Sequence, residues 1–152
     1  MVNEKPDNLS AQQHIERNIA VQQKFGEAVN SGNLREFEHL VAEDSLDHDP
    51  APGQVKGPDG YMEMFSKMRQ AFPDLKVSVD QLVADEDHVA IAYTMRGTHR
   101  GDFMGVAGTG KEIHAHGVQI ARFQQGKMVE RWGSSDELGI MQQIGAVKQK
   151  AA

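Results

Sequence analysis

Ala115–Gly145 reads AHGVQIARFQQGKMVERWGSSDELGIMQQIG, two strand-like runs that meet at a Gln-Gly turn and lead into a short helical pattern. The second run ends in Trp132, the only tryptophan of the chain, and Asp136 follows four residues later. An even spacing on a strand directs both side chains to one face of the sheet. A carboxyl group held beside an aromatic ring in a sheet cavity is partly desolvated, which makes it a better base near neutrality. Asp136 is therefore the first candidate for proton transfer.

Asp136 also fits a structural interpretation. It precedes Glu137-Leu138-Gly139-Ile140, and an aspartate at such a position often caps a helix by accepting hydrogen bonds from the next backbone amides. The choice depends on strand parity, which groups Met128, Glu130 and Trp132 with Asp136 if no bulge intervenes. On the neighbouring strand, one face carries His114, His116, Val118, Ile120 and Arg122. If both faces look into a cavity, we expect Asp136, Arg122 and His116 to converge on a ligand, with Arg122 or His116 stabilising a developing enolate. The opposite parity would expose these groups or bury them between subunits.

The composition favours one soluble domain. The chain has 152 residues, of which 39% are hydrophobic and 25% charged, and its formal charge is −6. The acidic balance argues against a nucleic-acid partner, since phosphate binding needs a basic surface. Cysteine is absent, which excludes disulfides, thiolate metal sites and cysteine nucleophiles. No apolar run reaches the ~18 residues of a membrane span. The N-terminus carries no signal-peptide core, so we expect a cytoplasmic protein.

The apolar periodicity predicts three helices, four strands and a last helix. We expect a domain over residues 11–146 between flexible tails at 1–10 and 147–152. The first helix runs from Ser10 to Asn30, the second is capped by Asn33 with Leu34, Phe37, Leu40 and Val41 as its stripe, and the third runs from Pro58 to about Phe72. The strands begin near Leu75, Val89, Glu112 and Lys127, and the last helix spans Glu137 to Ile144. Helices followed by sequential strands indicate an α+β fold with a largely antiparallel sheet and an apolar cavity.

Two further motifs have weaker functional readings. Gly105–Lys111 matches most of a phosphate-binding loop, but Glu112 replaces the required Ser or Thr and a strand follows where a helix is needed. A glycine-rich connection between strands is the better interpretation. His114-Ala115-His116 places two imidazoles on one strand face, which suits a metal but supplies too few ligands. The alternative is a pair of polar strand residues at a pocket or an interface.

Several short motifs follow one another over residues 20–146. They are Asp47-His48-Asp49-Pro50, Gly57-Pro58-Asp59-Gly60, Ala71-Phe72-Pro73-Asp74-Leu75, Arg96-Gly97-Thr98-His99-Arg100-Gly101, Thr109-Gly110-Lys111, Arg122-Phe123, Gly126-Lys127, Glu130-Arg131-Trp132 with Asp136, and Gln142-Gln143-Ile144-Gly145. In this order the chain resembles the SnoaL-like polyketide cyclases of the nuclear transport factor 2-like superfamily. The resemblance implies an α+β cone of helices packed on a curved sheet. It also implies a homodimer or higher homo-oligomer, assembled through the open sheet face.

The resemblance further implies chemistry without a cofactor or metal, on a small apolar or aromatic carbonyl compound. In the cyclases an aspartate is the general acid/base of an intramolecular aldol condensation, and it matches Asp136. A loop histidine of the family matches His48. Arg122 stands where the cyclases place a second histidine, so the acid is retained while its partner differs. The predicted catalytic residues are Asp136 and His48, and the predicted substrate-binding residues are Arg122, His116, Trp132, His99 and Met64.

These observations leave three hypotheses. The first is an enzyme in which Asp136 removes and returns a proton next to a carbonyl, giving a cyclisation, isomerisation or lyase step. The second is a small-molecule carrier or sensor that uses the same cavity without chemistry. The third is a metal enzyme that uses His48, His114 and His116.

Overall fold

The computed structural model describes residues 7–148, and the predicted tails at residues 1–10 and 147–152 lie largely outside this range. The helices are α1 (Ala11–Ser31), a 3₁₀ turn (Leu34–Glu36), α2 (Phe37–Leu40), α3 (Pro58–Ala71) and α4 (Glu137–Gln143). The strands are β1 (Val41–Asp47), β2 (Lys76–Ala84), β3 (His88–Thr98), β4 (Glu112–Gln124) and β5 (Lys127–Ser135).

The strands form one sheet in the order β1-β5-β4-β3-β2. Strands β2 to β5 pair antiparallel in sequence order, whereas β1 pairs parallel with β5 at the far edge. The predicted α+β class, with helices packed on a mainly antiparallel sheet, is confirmed. The prediction of four strands is wrong, because Val41–Asp47 forms a fifth strand.

The helix boundaries follow their capping residues. Ser10 caps α1, and its side chain and that of Gln13 form a reciprocal capping box. Gly32 ends α1 with a positive φ of 80°, a conformation that glycine adopts without strain. The predicted cap at Asn33 is wrong, since its side chain makes no capping bond and a 3₁₀ turn follows. Val41, which the apolar pattern places in the second helix, instead begins β1.

The two predicted connections between strands are confirmed. Gln125 and Gly126 both have positive φ and join β4 to β5 in a tight hairpin. The glycine-rich segment 101–111 joins β3 to β4, with one bridge between Phe103 and Val106. A strand therefore follows the phosphate-loop-like motif, as expected for a simple connection.

The sheet has two unlike faces, and only one is covered by helices. On this inner face the β4 side chains Ile113, Ala115, Ala121 and Phe123 are buried. They pack towards an aromatic cluster in which the rings of Phe25 and Phe37 lie 4.5 Å apart. On the outer face, Val118 is 59% and Ile120 47% exposed. Within residues 7–148 no helix is long and apolar enough to cross a membrane.

Candidate functional site

The parity of β4 and β5 differs from the arrangement expected for a cavity site. The β4 face that carries His114, His116 and Arg122 is the outer face, because the alternate residues are the buried ones. In β5 a bulge intervenes, since Arg122 pairs with Glu130 whereas Phe123 pairs with Met128. Met128 therefore points into the core, while Glu130 lies on the outer face. Of the two parities, the structure has the one that places these groups on the face that the helices leave uncovered.

Asp136 caps helix α4. Its carboxylate Oδ1 accepts a hydrogen bond from the backbone N of Gly139 at 2.8 Å, and the side chain is exposed. Its own backbone N donates to the carbonyl of His116 at 2.9 Å, which ends β5 against the middle of β4. The capping interpretation is therefore confirmed, and the expected desolvation of this carboxyl group beside Trp132 is absent.

His48 and Trp132 form a stacked pair on the outer side of the sheet. Their ring centroids are 4.4 Å apart and their planes differ by 4°. His48 Nε2 lies 3.2 Å from Oε1 of Glu130, and the other carboxylate oxygen of Glu130 accepts a bond from Arg122 Nε. These hydrogen bonds, first from Arg122 and then from His48, lower the pKa of Glu130 below its ordinary value. Three predicted site residues, His48, Trp132 and Arg122, thus meet around a carboxylate that the sequence did not single out.

An open groove of about 720 Å³ runs beside this pair on the outer face. It is lined by Trp132 and Ile120 on one side and by the β2–β3 turn on the other, with Val83, Ala84, Asp85, His88 and Ala90. Trp132 therefore lines an open groove on the outer face and not the helix-covered interior.

The other predicted residues lie apart from this pair. His116 is on the outer face of β4, where its Nδ1 lies 3.1 Å from Oγ1 of Thr94. His99 is fully buried, and its Nδ1 accepts a bond from the backbone N of Thr109 at 3.3 Å. Met64 of α3 is partly buried and packs against the core. The seven predicted residues therefore do not form one site.

Among residues 7–148, no group of three or more His, Asp or Glu side chains is arranged to hold a metal, which removes the hypothesis of a site shared by His48, His114 and His116.

The inner face carries a polar cluster that the sequence analysis missed. Arg131 Nη1 lies 3.1 Å from each carboxylate oxygen of Asp47, and its Nε donates to Gln119 Oε1 at 2.8 Å. The chain of bonds continues from Gln119 to Gln22 of α1 at 3.3 Å and from Gln54 to Asp47 at 3.1 Å. The side chains of Asp47 and Arg131 are only 4% and 11% exposed. We call these five residues the interior polar cluster: Gln22, Asp47, Gln54, Gln119 and Arg131.

Tyr61 of α3 adds an unused hydrogen-bond donor near this cluster. The side chain is 1% exposed, and no described residue bonds its hydroxyl. Burial raises the pKa of Tyr61 strongly, the charge of Asp47 raises it further, and that of Arg131 opposes both. Tyr61 is therefore a neutral phenol at all physiological pH values, and it can donate a hydrogen bond to an acceptor that enters the interior.

The parallel pairing of β1 with β5 assembles the cluster. Asp47 and Arg131 are register partners, so that their side chains meet on the inner face. Beyond the strand end, the backbone N of His48 donates to the carbonyl of Arg131 at 2.8 Å, and the carboxylate of Asp49 accepts from the backbone N of Gly133 at 2.9 Å. Each residue of the Asp47-His48-Asp49 motif thus forms a bond to β5. The sequence of β4 contains one indication of this cluster, because Gln119 is a polar residue among the alternate positions that are buried.

Comparison with known proteins shows which family the chain resembles. The family of SnoaL-like polyketide cyclases matches residues 19–144. The aklanonic acid methyl ester cyclase DnrD of Streptomyces peucetius is 24% identical over 134 residues, which cover 84% of this chain and 90% of DnrD.

Solved structures show the same fold. TsrD of Streptomyces laurentii superposes with a TM-score of 0.80 at 23% identity, covering 87% of this chain and 97% of TsrD. IdmH of Streptomyces antibioticus gives a TM-score of 0.74 at 29% identity, covering 84% of this chain and 98% of IdmH. From its matched length, its fold and its motifs, this chain belongs to the SnoaL-like polyketide cyclase family.

Proposed function

We propose that the protein is an acid–base enzyme of the polyketide-cyclase type that binds a small apolar carbonyl compound between the helices and the sheet. The observation that carries this proposal is the buried Asp47–Arg131 pair near the hydroxyl of Tyr61, which no residue in the range 7–148 bonds. Two hydrogen-bond donors, the neutral hydroxyl of Tyr61 and the guanidinium of Arg131, then lie near the carboxylate of Asp47 in the interior. The relative DnrD is named for a polyketide methyl ester, and we infer an ester of similar kind as the substrate class.

In this proposal, Tyr61 and Arg131 donate hydrogen bonds to the substrate carbonyl oxygen. Donors that are already in place stabilise the negative charge as it develops on that oxygen. Asp47 removes the proton from the neighbouring carbon, which leaves an enolate. The enolate carbon then attacks a second carbonyl of the same molecule, and the new alkoxide takes the proton back from Asp47. One carbon–carbon bond forms, and no atom is gained or lost overall.

Asp136 remains the competing candidate for the acid/base residue. Support for it comes from the resemblance to the cyclases. Its exposure and its bond to Gly139 support a structural role. His48 and Arg122 lie on the outer face, and in this proposal they hold β5 in place from that side.

Three substitutions distinguish the two carboxylates. We would measure turnover of aklanonic acid methyl ester and related polyketide esters by the Asp47→Asn, Asp136→Asn and Tyr61→Phe variants. Asparagine caps a helix about as well as aspartate, so Asp136→Asn keeps α4 intact. General acid–base catalysis is worth ~10²–10⁴ in rate, and we expect Asp47→Asn to lose that factor in kcat. Tyr61→Phe should lose less, and Asp136→Asn should be nearly wild-type.

The matched control is Asp44→Asn, which removes an exposed carboxylate from the same strand as Asp47. Circular dichroism of each variant separates a lost fold from lost chemistry. Full activity of a folded Asp47→Asn variant would overturn the interior assignment. Loss of activity in Asp136→Asn alone would transfer the acid/base role to Asp136.

A second candidate function is binding without chemistry. The observation that favours it is that both oxygens of Asp47 already accept bonds, from Arg131, Gln54 and the backbone N of Asp49. A ligand would have to displace one of these partners before Asp47 could contact a substrate proton. A carrier would bind the ester in calorimetry and return it unchanged, whereas an enzyme would show turnover with a pH–rate profile.

A further inference from the structure

His114 and His116 form a close pair on the outer face of β4, on the opposite side of the sheet from the interior polar cluster. Both residues are exposed, and their ring centroids are 5.2 Å apart. Zinc–nitrogen bonds of about 2.0–2.1 Å with tetrahedral angles place two imidazole centroids roughly 5 Å apart around one ion. The spacing of this pair therefore suits a shared metal ion.

The hydrogen bonds around His116 fix which ring nitrogen is free. Thr94 Oγ1 lies 2.7 Å from the Asp80 carboxylate and 3.1 Å from His116 Nδ1. A carboxylate only accepts, so the single hydroxyl proton of Thr94 goes to Asp80. The Thr94 oxygen must then accept from His116 Nδ1–H, which leaves the lone pair on Nε2. Metal-binding histidines are held in this way, with the second ring nitrogen donating to a carboxylate or another oxygen.

The backbone of the pair is also held in place. Gln143 of α4 accepts from the backbone N of His114 at 2.6 Å and donates to its carbonyl at 2.9 Å. Strand β5 does not extend as far as His114, and the side chain of Gln143 instead bonds the backbone N and carbonyl that β5 leaves unpaired there. The backbone carbonyl of His116 is bonded by Asp136. Both imidazoles thus project from a backbone that is bonded on each side.

The charges around the pair nearly balance. Arg96 is the register partner of His114, and the exposed Lys76 is the register partner of Arg96, so both oppose a positive ion. Asp80 bonds Thr94, Glu112 begins β4 two residues before His114, and Asp136 bonds the carbonyl of His116 through its backbone N. These three carboxylates offset the two cationic side chains.

We propose that His114 and His116 form a surface site for a divalent transition-metal ion of the kind that imidazole ligates, such as Zn²⁺. The two imidazoles supply two ligands and water supplies the others. Thr94 is a positioning residue that orients His116 through its hydroxyl. The proposal does not depend on the polyketide-cyclase activity, because the pair lies on the other side of the sheet.

The test is calorimetric titration of the chelator-treated protein with Zn²⁺, and with Mg²⁺ as the ion that imidazole does not favour. We expect one Zn²⁺ per chain and no Mg²⁺ heat. His114→Ala and His116→Ala should each abolish the Zn²⁺ heat, whereas His39→Ala, an exposed histidine on α2, should leave it unchanged. Thr94→Val should weaken binding about tenfold, and Thr94→Ser should restore it, because the serine hydroxyl can take the same bonds.

The outcomes that overturn the proposal are equally direct. Zn²⁺ binding that survives either His114→Ala or His116→Ala would show that the pair does not share an ion. Wild-type protein that takes up no Zn²⁺, or takes up as much Mg²⁺ as Zn²⁺, would refute the site. Equal affinities in Thr94→Val and wild-type would refute the positioning role of the hydroxyl.

Discussion

The imidazole of His48 lies flat on the indole of Trp132, with centroids 4.4 Å apart. Because Trp132 is the only tryptophan of the chain, its fluorescence reports this one contact. Removing the imidazole in His48→Ala exposes more of the indole to water, and we expect the emission maximum to shift to longer wavelength. Steady-state emission spectra of the folded proteins measure the shift.

His48→Phe is the matched control, since a phenyl ring keeps the stacking and loses only the bond to Glu130. Its emission should stay close to that of the wild-type protein. Identical spectra for His48→Ala and wild-type would show that the two rings do not stack in solution.

The Asp47–Arg131 pair should show strong energetic coupling. Removing one partner leaves a charge that is almost fully buried without its counter-ion, at a cost of about 3–5 kcal/mol. We therefore expect Asp47→Asn and Arg131→Gln each to lower the free energy of unfolding substantially, and the double variant to cost less than the sum. Chemical denaturation of all four proteins completes the double-mutant cycle. Additive losses would mean that the two side chains act independently.

Asp74 should make stability fall at acidic pH. Hydrogen bonds from the backbone N and then from the hydroxyl of Thr98 lower its pKa below the ordinary value of 3.8. A carboxyl whose pKa is lower in the folded state contributes stability above 3.8, and this contribution is lost as the pH falls through the folded value. Asp74→Asn should therefore be less stable than wild-type at pH 7, with a difference that shrinks below pH ~3.8.

Urea unfolding between pH 7 and pH 2 gives both curves. Asp44→Asn, which removes an exposed carboxylate on β1, serves as the control and should run parallel to wild-type. A constant difference between Asp74→Asn and wild-type across the whole range would argue against the lowered pKa.

Gly117 allows Tyr93 to cross the sheet and reach Ser135. The two hydroxyls lie 2.7 Å apart, and a Cβ on Gly117 would overlap the Tyr93 ring. We expect Gly117→Ala to cost ~1–3 kcal/mol of stability, because the ring must move in a packed core. Gly26→Ala in α1 is the comparison, since nothing lies within 4 Å of its added Cβ. It should gain ~0.5–1 kcal/mol from helix propensity, and thermal unfolding would measure both.

Much of the fold followed from local patterns. Ser10 and Gly32 delimit α1, and the Gln125-Gly126 turn fixes the register of β4 against β5. Strand β1 escaped notice for a physical reason. Its buried positions include Ser45 and Asp47, so that no apolar alternation marks it, and its parallel partner lies more than eighty residues away along the chain.

The site was harder to predict because the centre of β4 is apolar on both faces. Val118 and Ile120 on the outer face are larger than Ala115 and Ala121 on the inner face, so these central residues do not show which face the helices cover. The bulge at the start of β5 then reverses the parity of Met128 relative to Glu130. A bulge is a property of two paired strands, so it cannot be predicted from the sequence of one strand alone.

The position of β1 at the edge of the sheet, beside the last strand of the chain, has a kinetic consequence. Strands β2 to β5 form a meander of neighbours, whereas β1 must close a loop in which Asp47 and Arg131 are 84 residues apart. Such closure is entropically costly and slow, and the pairing of this edge strand with β5 is interrupted by a register shift between Val41 and Leu46. Amide protons of β1 should therefore exchange with solvent before those of β3 and β4. The carboxylate of the interior polar cluster lies on this edge strand, so local opening of the edge would expose the interior without unfolding the other four strands.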